Sequence, residues 1–139
     1  MTRLHCSTCG TTYEDRWRCT CGDPLDYADP PRPDAPAPNP AELDRGRGLW
    51  AFEAFLPEAP HATLGEGFTP MVDAPAWDAA FKLEYVSPTA SFKDRGATTT
   101  VSRAVALGVD RVVDDSSGNA GAAIATYAAR AGIDAEIYV

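Results

Sequence analysis

The sequence predicts an α/β fold, a parallel sheet with flanking helices, preceded by a small cysteine module. Helical patterns alternate with short apolar strands through the second half of the chain, an order typical of parallel sheets with right-handed crossovers. All four cysteines fall within residues 1–27, and six prolines crowd residues 28–48. The chain therefore divides into a cysteine module (1–27), a proline-rich linker (28–48) and an α/β part (49–139).

The cysteines form two pairs: Cys6 with Cys9, and Cys19 with Cys21. In a cytosolic setting such pairs favour a metal over disulfides, and four thiolates complete a closed tetrahedral zinc site of structural type. The second pair has one intervening residue instead of two, so a distorted site, or free or redox-paired thiols, are the alternatives. We expect Tyr13 and Trp17 to give this zinc-ribbon-like module its apolar cover.

The linker at 28–48 is expected to be extended, because proline bars helix interiors and central strands. The next segment, 49–57, is predicted to be a short amphipathic helix. Its aromatic residues Trp50, Phe52 and Phe55 cannot share one narrow stripe, so we expect the segment to dock into a groove as part of the core. A stretch rich in turn residues follows.

The remaining pattern predicts two helices among three strands. The expected elements are a strand at 81–85, a helix from Ser91 to about Leu107, a strand at 111–115, a helix at 119–131 and a strand from residue 134. Gly108 and Gly132 are typical of positions just past a helix end. Ligands of such sheets bind at the carboxyl ends of the strands.

Lys93 is a candidate nucleophile. The chain has ten arginines but only two lysines, Lys82 and Lys93, and a primary amine can react with an aldehyde whereas a guanidinium cannot. Ser91 and Asp94 have the spacing of a capping box with Asp in place of Glu, which predicts Lys93 in the first turn of a helix. The alternative is an ordinary exposed lysine at a helix start.

A second polar stretch, Ser116-Ser117-Gly118-Asn119-Ala120-Gly121, follows an apolar strand and opens an alanine-rich helix. A strand, a glycine-containing turn and a helix N-terminus together present backbone N–H groups that bind anions. The alternative is a plain connection from strand to helix, with Ser117 or Asn119 as its cap.

Together with Ser91-Phe92-Lys93-Asp94-Arg95-Gly96, this stretch resembles the fold-type II pyridoxal-phosphate enzymes, the tryptophan-synthase-beta-like family. Within that family the two motifs most resemble the threonine synthases. The segment at 49–57 and Gly65-Glu66-Gly67-Phe68-Thr69-Pro70 extend the resemblance from about residue 46 to residue 139, and the cysteine module is also found in some members. The resemblance implies a partial fold-type II catalytic domain.

The resemblance also implies roles for individual residues. Lys93 matches the lysine that binds pyridoxal phosphate covalently and then shuttles protons, and Asn119 matches the asparagine that hydrogen-bonds the cofactor's phenolic oxygen. Phe92 is expected near the cofactor, and Asp94 and Arg95 are expected to form a structural ion pair. The substrate carboxylate is expected on Ser116, Ser117, Gly118, Ala120 and Gly121. The implied reaction converts O-phosphohomoserine and water to threonine and phosphate.

Two departures bear on the substrate more than on the cofactor. Ala90 stands where the family usually has glycine, so a left-handed loop would be strained there. Asp114 and Asp115 precede the second motif and would repel an anionic substrate unless they are paired or turned away. Threonine dehydratases and cysteine synthases use related loops and are alternatives. A non-catalytic binding or scaffolding subunit with a zinc ribbon is another.

Members of the family are roughly twice this length or more. The glycine-rich loop that holds the cofactor phosphate does not occur in these residues, nor does the Ser or Thr that faces the pyridine nitrogen. We therefore expect an N-terminal portion that, by itself, binds pyridoxal phosphate weakly and has no useful turnover. A homo-oligomer is compatible with a full-length version.

The composition excludes some partners. The formal net charge of −8 and the pI of about 4.6 argue against a nucleic-acid-binding surface. The sequence has no apolar run long enough to span a membrane, and its polar N-terminus is unlike a signal peptide. We expect a cytoplasmic protein with a small amino-acid substrate, and with neither nucleic acid nor membrane as a partner.

Thirteen aspartates outnumber seven glutamates, and lysine is nearly absent. This bias predicts a halophilic surface, on which salt screens the repulsion between like charges. Raising KCl from low to molar concentration is expected to raise the thermal midpoint followed by circular dichroism. A midpoint that does not rise would contradict the interpretation.

Overall fold

The computed structural model describes residues 3–14, 16–31 and 36–139. Its strands and α-helices are β1 (Leu4–His5), β2 (Thr12–Tyr13), β3 (Asp26–Tyr27), β4 (Met71–Ala74), β5 (Ala79–Lys82), α1 (Asp94–Ala106), β6 (Arg111–Asp114), α2 (Asn119–Ala131) and β7 (Asp134–Ile137). Three 3₁₀ segments span Arg45–Phe55, Pro75–Trp77 and Glu84–Val86. Residues 32–35 of the predicted linker, with Pro33, lie outside the described residues. None of the helices just named is both long and apolar enough to cross a membrane.

The cysteine module contains a three-stranded antiparallel sheet with β1 in the middle. Buried Leu4 of β1 stands opposite Tyr13 of β2 and Tyr27 of β3. Tyr13 is half-buried. Trp17 is 84% exposed, so the prediction that it covers this module is wrong. Trp17 lies after β2 and is not part of the sheet. A sheet with strands of two residues can cover few side chains.

The segment Arg45–Phe55 is a kinked 3₁₀ helix, so the amphipathic helix predicted at 49–57 is wrong in kind and in its start. Glycine is the cause. Gly48 has φ of 58°, a conformation that glycine adopts readily, and a side chain there would overlap the Glu66 carbonyl oxygen. The expected docking into the core holds for Trp50, which is 1% exposed.

The strands β4 and β5 form an antiparallel hairpin that turns through Pro75–Trp77. The strand predicted at 81–85 therefore ends early, at Lys82, and the chain then turns through the 3₁₀ segment Glu84–Val86. Trp77 and Phe81 are exposed and meet edge to face, with ring centroids 5.6 Å apart.

From residue 94 onwards the chain has the predicted order and direction, whereas the strand predicted at 81–85 pairs antiparallel with β4 instead of joining the parallel sheet. β6 and β7 pair in parallel, α2 has the predicted bounds, and Gly132 follows it with φ of 73°. α1 ends at Ala106, one residue before the expected end. Mostly small residues let α1 and α2 pack closely, because ridges of short side chains permit a near approach. The buried core consists of Ala62, Ala97, Val101, Ala104, Ala123, Tyr127, Ala128 and Ile133.

A buried carboxylate joins three parts of this core. Glu66 is 1% exposed and accepts hydrogen bonds from Trp50 Nε1 at 3.1 Å, Tyr127 Oη at 2.9 Å and the Leu64 N–H at 2.9 Å. Trp50 Nε1 also lies 2.9 Å from Thr98 Oγ1 of α1. Burial, followed by the Glu66 charge, raises the pKa of Tyr127, which therefore remains a donor.

The cysteine module rests against α1 through one polar cluster. Glu58 accepts hydrogen bonds from Arg103 Nη1 at 2.6 Å and from Tyr27 Oη at 3.4 Å. The Arg103 guanidinium also lies 5.7 Å from the centre of the Tyr27 ring, within cation–π range. Because Tyr27 belongs to β3 and Arg103 to α1, this cluster attaches the module to the α/β part.

Candidate active site and metal centre

Lys93 immediately precedes the first residue of α1, as its N-cap. Its backbone N–H donates to Ser91 Oγ at 3.1 Å, and its carbonyl accepts from the Ala97 N–H at 2.9 Å. The side chain is exposed, and Nζ lies 4.8 Å from the centre of the Phe92 ring. Lys93 therefore stands at the helix start as its N-cap, instead of as the second helical residue that capping by Ser91 implies.

The predicted capping box between Ser91 and Asp94 is wrong. The helix begins at Asp94 itself, so Ser91 lies too early to cap it. The fully buried Asp94 carboxylate turns back instead, accepting from the Thr89 N–H at 2.9 Å and from the Thr89 hydroxyl. This contact closes the loop at 89–94 and fixes the backbone that carries Lys93.

Ala90 lies inside that closed loop with φ of 60°, the strained conformation that the departure from glycine implied. For a residue with a Cβ, the left-handed region costs roughly 1–2 kcal/mol. Ala90→Gly is expected to raise the free energy of unfolding by about 0.5–1 kcal/mol, because glycine's greater freedom in the unfolded chain offsets part of the gain. Urea unfolding measures this.

A matched control for Ala90→Gly is Ala106→Gly at the exposed end of α1. There glycine should lower stability by up to about 1 kcal/mol. Equal losses at both positions would contradict the strain at Ala90.

Arg95 does not pair with Asp94, which corrects the predicted ion pair. Adjacent helical residues point in different directions, and Arg95 reaches Glu84 instead, with Nε at 2.9 Å and Nη2 at 2.8 Å from the two carboxylate oxygens. The Thr69 hydroxyl donates to Glu84 at 2.6 Å. The bonds from Arg95, then from Thr69, lower the pKa of Glu84 to about 2.

The Glu84 pair predicts an acid-sensitive contribution to stability. Because the folded pKa of Glu84 lies below its ordinary 4.5, ionised Glu84 stabilises the fold above that pH and the contribution is lost as pH falls towards 2. Glu84→Gln should lower stability at neutral pH by about 1–2 kcal/mol and flatten the pH dependence in this window. Urea titrations at stepped pH measure both effects.

Glu53→Gln is the control for this experiment, because Glu53 pairs with Arg47 at a more exposed site. It should change stability at neutral pH by only a few tenths of a kcal/mol. A Glu84→Gln profile as steep as that of the parent would contradict the assignment.

The loop before α2 is shaped by its own polar groups. Asp114 Oδ1 accepts from the Ser116 N–H at 2.7 Å, and Ser116 Oγ accepts from the Gly118 N–H at 3.3 Å. No side chain caps α2, so neither Ser117 nor Asn119 has the capping role left open by the sequence. A side chain at Gly121 would overlap the Ser116 carbonyl, so this close approach requires glycine.

A cleft of about 260 Å³ separates the first turns of α1 and α2. The structure brings together Lys93 and Ala120 there, and Phe92 contacts Lys93. The other predicted site residues lie on the adjoining loop and helix start but not in the cleft wall: Ser116, Ser117, Gly118, Asn119 and Gly121. The sequence analysis missed four wall residues: Gly96, Ala97, Thr100 and Ile124.

Asp114 also lines this cleft and is half-buried. The sequence analysis noted it only as a departure. Its Oδ1 is held by the Ser116 N–H, and the residue adds an acidic group to the lining of the cleft. Asp115, the next residue, is exposed.

The four cysteine sulfurs form one cluster, with all Sγ atoms within 4.8 Å of one another. Cys6 and Cys21 are 3.6 Å apart, and Cys9 and Cys19 are 3.4 Å apart. A tetrahedral site with zinc–sulfur bonds of about 2.3 Å has sulfur–sulfur edges of about 3.8 Å. The donor set and its spacing therefore fit a zinc ion.

The short second pair is accommodated by a tight turn, in which the Gly22 N–H donates to the Cys19 carbonyl at 3.0 Å. Tyr13 Oη lies 3.3 Å from Cys19 Sγ. The bond from Tyr13, then that from the Cys21 N–H, lowers the pKa of Cys19 to about 6. The thiolate, the form that binds metals, is therefore favoured at neutral pH.

Part of this chain is similar in sequence to known enzymes. A family model described as pyridoxal-phosphate dependent enzyme matches residues 62–139. A threonine synthase of Synechocystis is 40% identical over 107 residues, which cover 68% of this chain and 28% of that protein. A threonine synthase of Methanocaldococcus jannaschii is 35% identical over 141 residues, covering 91% of this chain and 35% of that protein. This chain therefore spans about a third or less of these curated relatives.

Proposed function

Because the chain belongs to the family of pyridoxal-phosphate-dependent enzymes, we propose that Lys93 holds this cofactor in the N-terminal part of a threonine-synthase-like lyase. The observation that carries the proposal is that Lys93 is the one lysine among the described residues that line the cleft between α1 and α2. The names of the relatives support the threonine synthase assignment. Localisation in the cytoplasm stays a prediction.

The residues of the cleft fit the cofactor in size and chemistry. Gly96, Ala97 and Ala120 leave the wall beside Lys93 free of bulky side chains, which suits a planar ring. Phe92 adds an aromatic face next to the amine. Asn119, exposed at the first position of α2, would hold the phenolic oxygen of the cofactor.

When bound, the cofactor supplies an electron sink for the carbanion formed at the substrate α-carbon. Lys93 would take the proton from that carbon and return it, because its amine becomes free when substrate replaces it. The loop at 116–118 and the start of α2 would orient the substrate carboxylate through hydroxyl and backbone N–H groups. In the proposed reaction O-phosphohomoserine and water give threonine and phosphate.

Asp114 favours a second candidate. Its carboxylate in the cleft wall opposes a phosphate ester more than it opposes a neutral hydroxy-amino acid. A threonine dehydratase-like or cysteine synthase-like activity, with a substrate that lacks this phosphate, is therefore the alternative within the family. In a full-length version, Asp114→Asn should lower the KM for phosphohomoserine if that is the substrate. If a neutral amino acid is the substrate, the change should leave KM almost unaltered.

We also propose that the four cysteines hold one structural zinc ion. The spacing of the thiol cluster supports this proposal. A closed four-thiolate site leaves no open position for a substrate. If Lys93 does not react with the cofactor while zinc is bound, the non-catalytic scaffold becomes the better assignment.

The test of the proposed function is visible absorbance after addition of excess pyridoxal phosphate, followed by borohydride reduction and peptide mapping. The parent and Lys82→Arg should give a band and a label on Lys93, and Lys93→Arg should lose both. In a full-length version, threonine and phosphate are then measured with O-phosphohomoserine as substrate, with Lys93→Ala as the blank and serine as the alternative substrate. A label that is absent from Lys93 would overturn the proposal.

A further inference from the structure

We propose that Gly96 determines which molecules reach Lys93, because a pyridoxal-phosphate ring bound to that lysine lies against the bare backbone of α1 at this glycine. The inference rests on the proposed function and adds a residue to it. Its test separates failure of the inference from failure of the cofactor assignment.

Nothing within the described residues requires glycine at this position. Gly96 lies in the first turn of α1 outside the left-handed region, and an added Cβ would meet no atom within 4 Å. Gly121, the glycine within α2, is the contrast, because there a Cβ would overlap the Ser116 carbonyl. Gly108 and Gly132 adopt positive φ at helix ends.

A glycine that the backbone does not require lowers the stability of a helix. In a helix interior it is less stabilising than alanine, because it loses more backbone entropy on folding. The Gly96 position is exposed, so alanine would be accommodated and would favour the helix. The missing side chain is therefore best explained by a molecule that occupies this space when bound.

The geometry identifies that molecule as the one held by Lys93. Gly96 follows Lys93 by three residues, so both positions lie on the same face of the helix start. Both also line the 260 Å³ cleft. Because a helical Cβ tilts towards the helix N-terminus, a side chain at Gly96 would project towards the lysine and into the space beside its amine.

A second cleft, of about 490 Å³, shares Gly96 and Thr100 with the first. Gly96 is thus a low point on the ridge of α1 that separates the two clefts. A flat ring can lie over the helix backbone at this glycine, whereas a side chain at position 96 would fill part of the cleft beside Lys93. The reaction of Lys93 with a small aldehyde, which needs little room, should be almost unaffected by a side chain at position 96.

The experiment uses the two lysines as an internal comparison. The full chain is incubated with pyridoxal phosphate and reduced with borohydride, so that the amine adds to the aldehyde carbon, water leaves, and hydride converts the resulting C=N bond to a stable secondary amine. Peptide mapping gives the ratio of label on Lys93 to label on Lys82. The same ratio is measured with formaldehyde as the small aldehyde, and thermal unfolding is measured for every variant.

Gly96→Ala should lower the pyridoxyl ratio several-fold from its value in the parent, and Gly96→Leu should bring it close to one. The formaldehyde ratio should stay within twofold of the parent. Gly96→Ala should unfold at the same temperature as the parent or at a higher one. Thr126→Ala, which favours the helix at an exposed site of α2, is the control and should leave both ratios unchanged.

Each other outcome overturns the inference in a distinguishable way. An unchanged pyridoxyl ratio in both Gly96 variants would show that the ring does not lie there. A parallel loss with formaldehyde would show that the lysine itself has moved, and a lower thermal midpoint for Gly96→Ala would show that the fold requires the glycine. A parent ratio of one would overturn the cofactor assignment, and this inference with it.

Discussion

Replacing Glu66 by alanine is expected to lower the free energy of unfolding by about 3–5 kcal/mol, a large part of the stability of a domain this size. The physical reason is the number of donors that converge on one buried carboxylate. Trp50 Nε1, Tyr127 Oη and the Leu64 N–H all bond to it. Alanine would leave the buried Tyr127 hydroxyl and the Leu64 N–H without this partner and would open a cavity.

Glutamine tests whether charge or shape matters at Glu66. Trp50 Nε1 donates to Oε1 and the Leu64 N–H donates to Oε2. Neither N–H group can become an acceptor, so either orientation of the amide places its NH₂ against a donor. Glu66→Gln should therefore cost about 2 kcal/mol although its volume is the same.

Urea unfolding followed by fluorescence of the buried Trp50 is the measurement, with the other two tryptophans replaced by phenylalanine. The midpoint should fall without a change in slope. Glu42→Ala, at an exposed position before the aromatic segment Arg45–Phe55, serves as the control and should stay within about 0.5 kcal/mol. A Glu66→Gln variant as stable as this control would refute the account of the buried acid.

Removing the proposed zinc ion is expected to unfold the cysteine module. Its sheet has strands of only two residues, too few to stabilise a fold without help. Structural zinc sites contribute about 10–16 kcal/mol of binding free energy in small peptides at neutral pH. One zinc per chain is expected by metal analysis, and chelation should abolish the hydrogen-exchange protection of residues 4–13.

Cys19→Ser should abolish zinc binding, because it removes one of the four thiol ligands. Thr20→Ser is the matched control on the same turn and keeps all four thiols and a hydroxyl. Cobalt substitution, read from its visible absorbance, reports a four-thiolate site in the parent and in Thr20→Ser only. A metal-free chain that contains two disulfides would contradict the prediction.

The sequence was most informative where one local signal acts alone. α2 has its predicted bounds because alanines favour a helix and Gly132 ends it. The Lys93 loop was misread because Asp94 bonds to Thr89 instead of capping with Ser91, and nothing in the local pattern distinguishes these choices. Arg95 likewise pairs with Glu84, which lies across a turn, and not with its neighbour Asp94 as predicted.

The aromatic segment and the candidate site show the same limit. Its 3₁₀ form depends on contact between the backbone at Gly48 and the Glu66 carbonyl, which only the folded chain defines. Lys93 and Ala120 were recognised from their motifs, but Thr100 carries no motif and lines the cleft only because α1 packs on α2. The periodicity of the sequence predicts which residues share one face of a helix. Which of them line a cleft depends on the element that packs against that face.

The buried acid also bears on how the protein opens. Glu66 is bonded to Trp50 and Tyr127, residues that lie far apart in the chain, and Trp50 is bonded in turn to Thr98 of α1. If one of the segments that carry these residues moved away, a hydrogen-bond donor or acceptor on the others would lose its partner. The aromatic segment, α1 and α2 should therefore exchange their slowest amide protons at a common rate, as one cooperative unit, while the exposed β4–β5 hairpin exchanges faster.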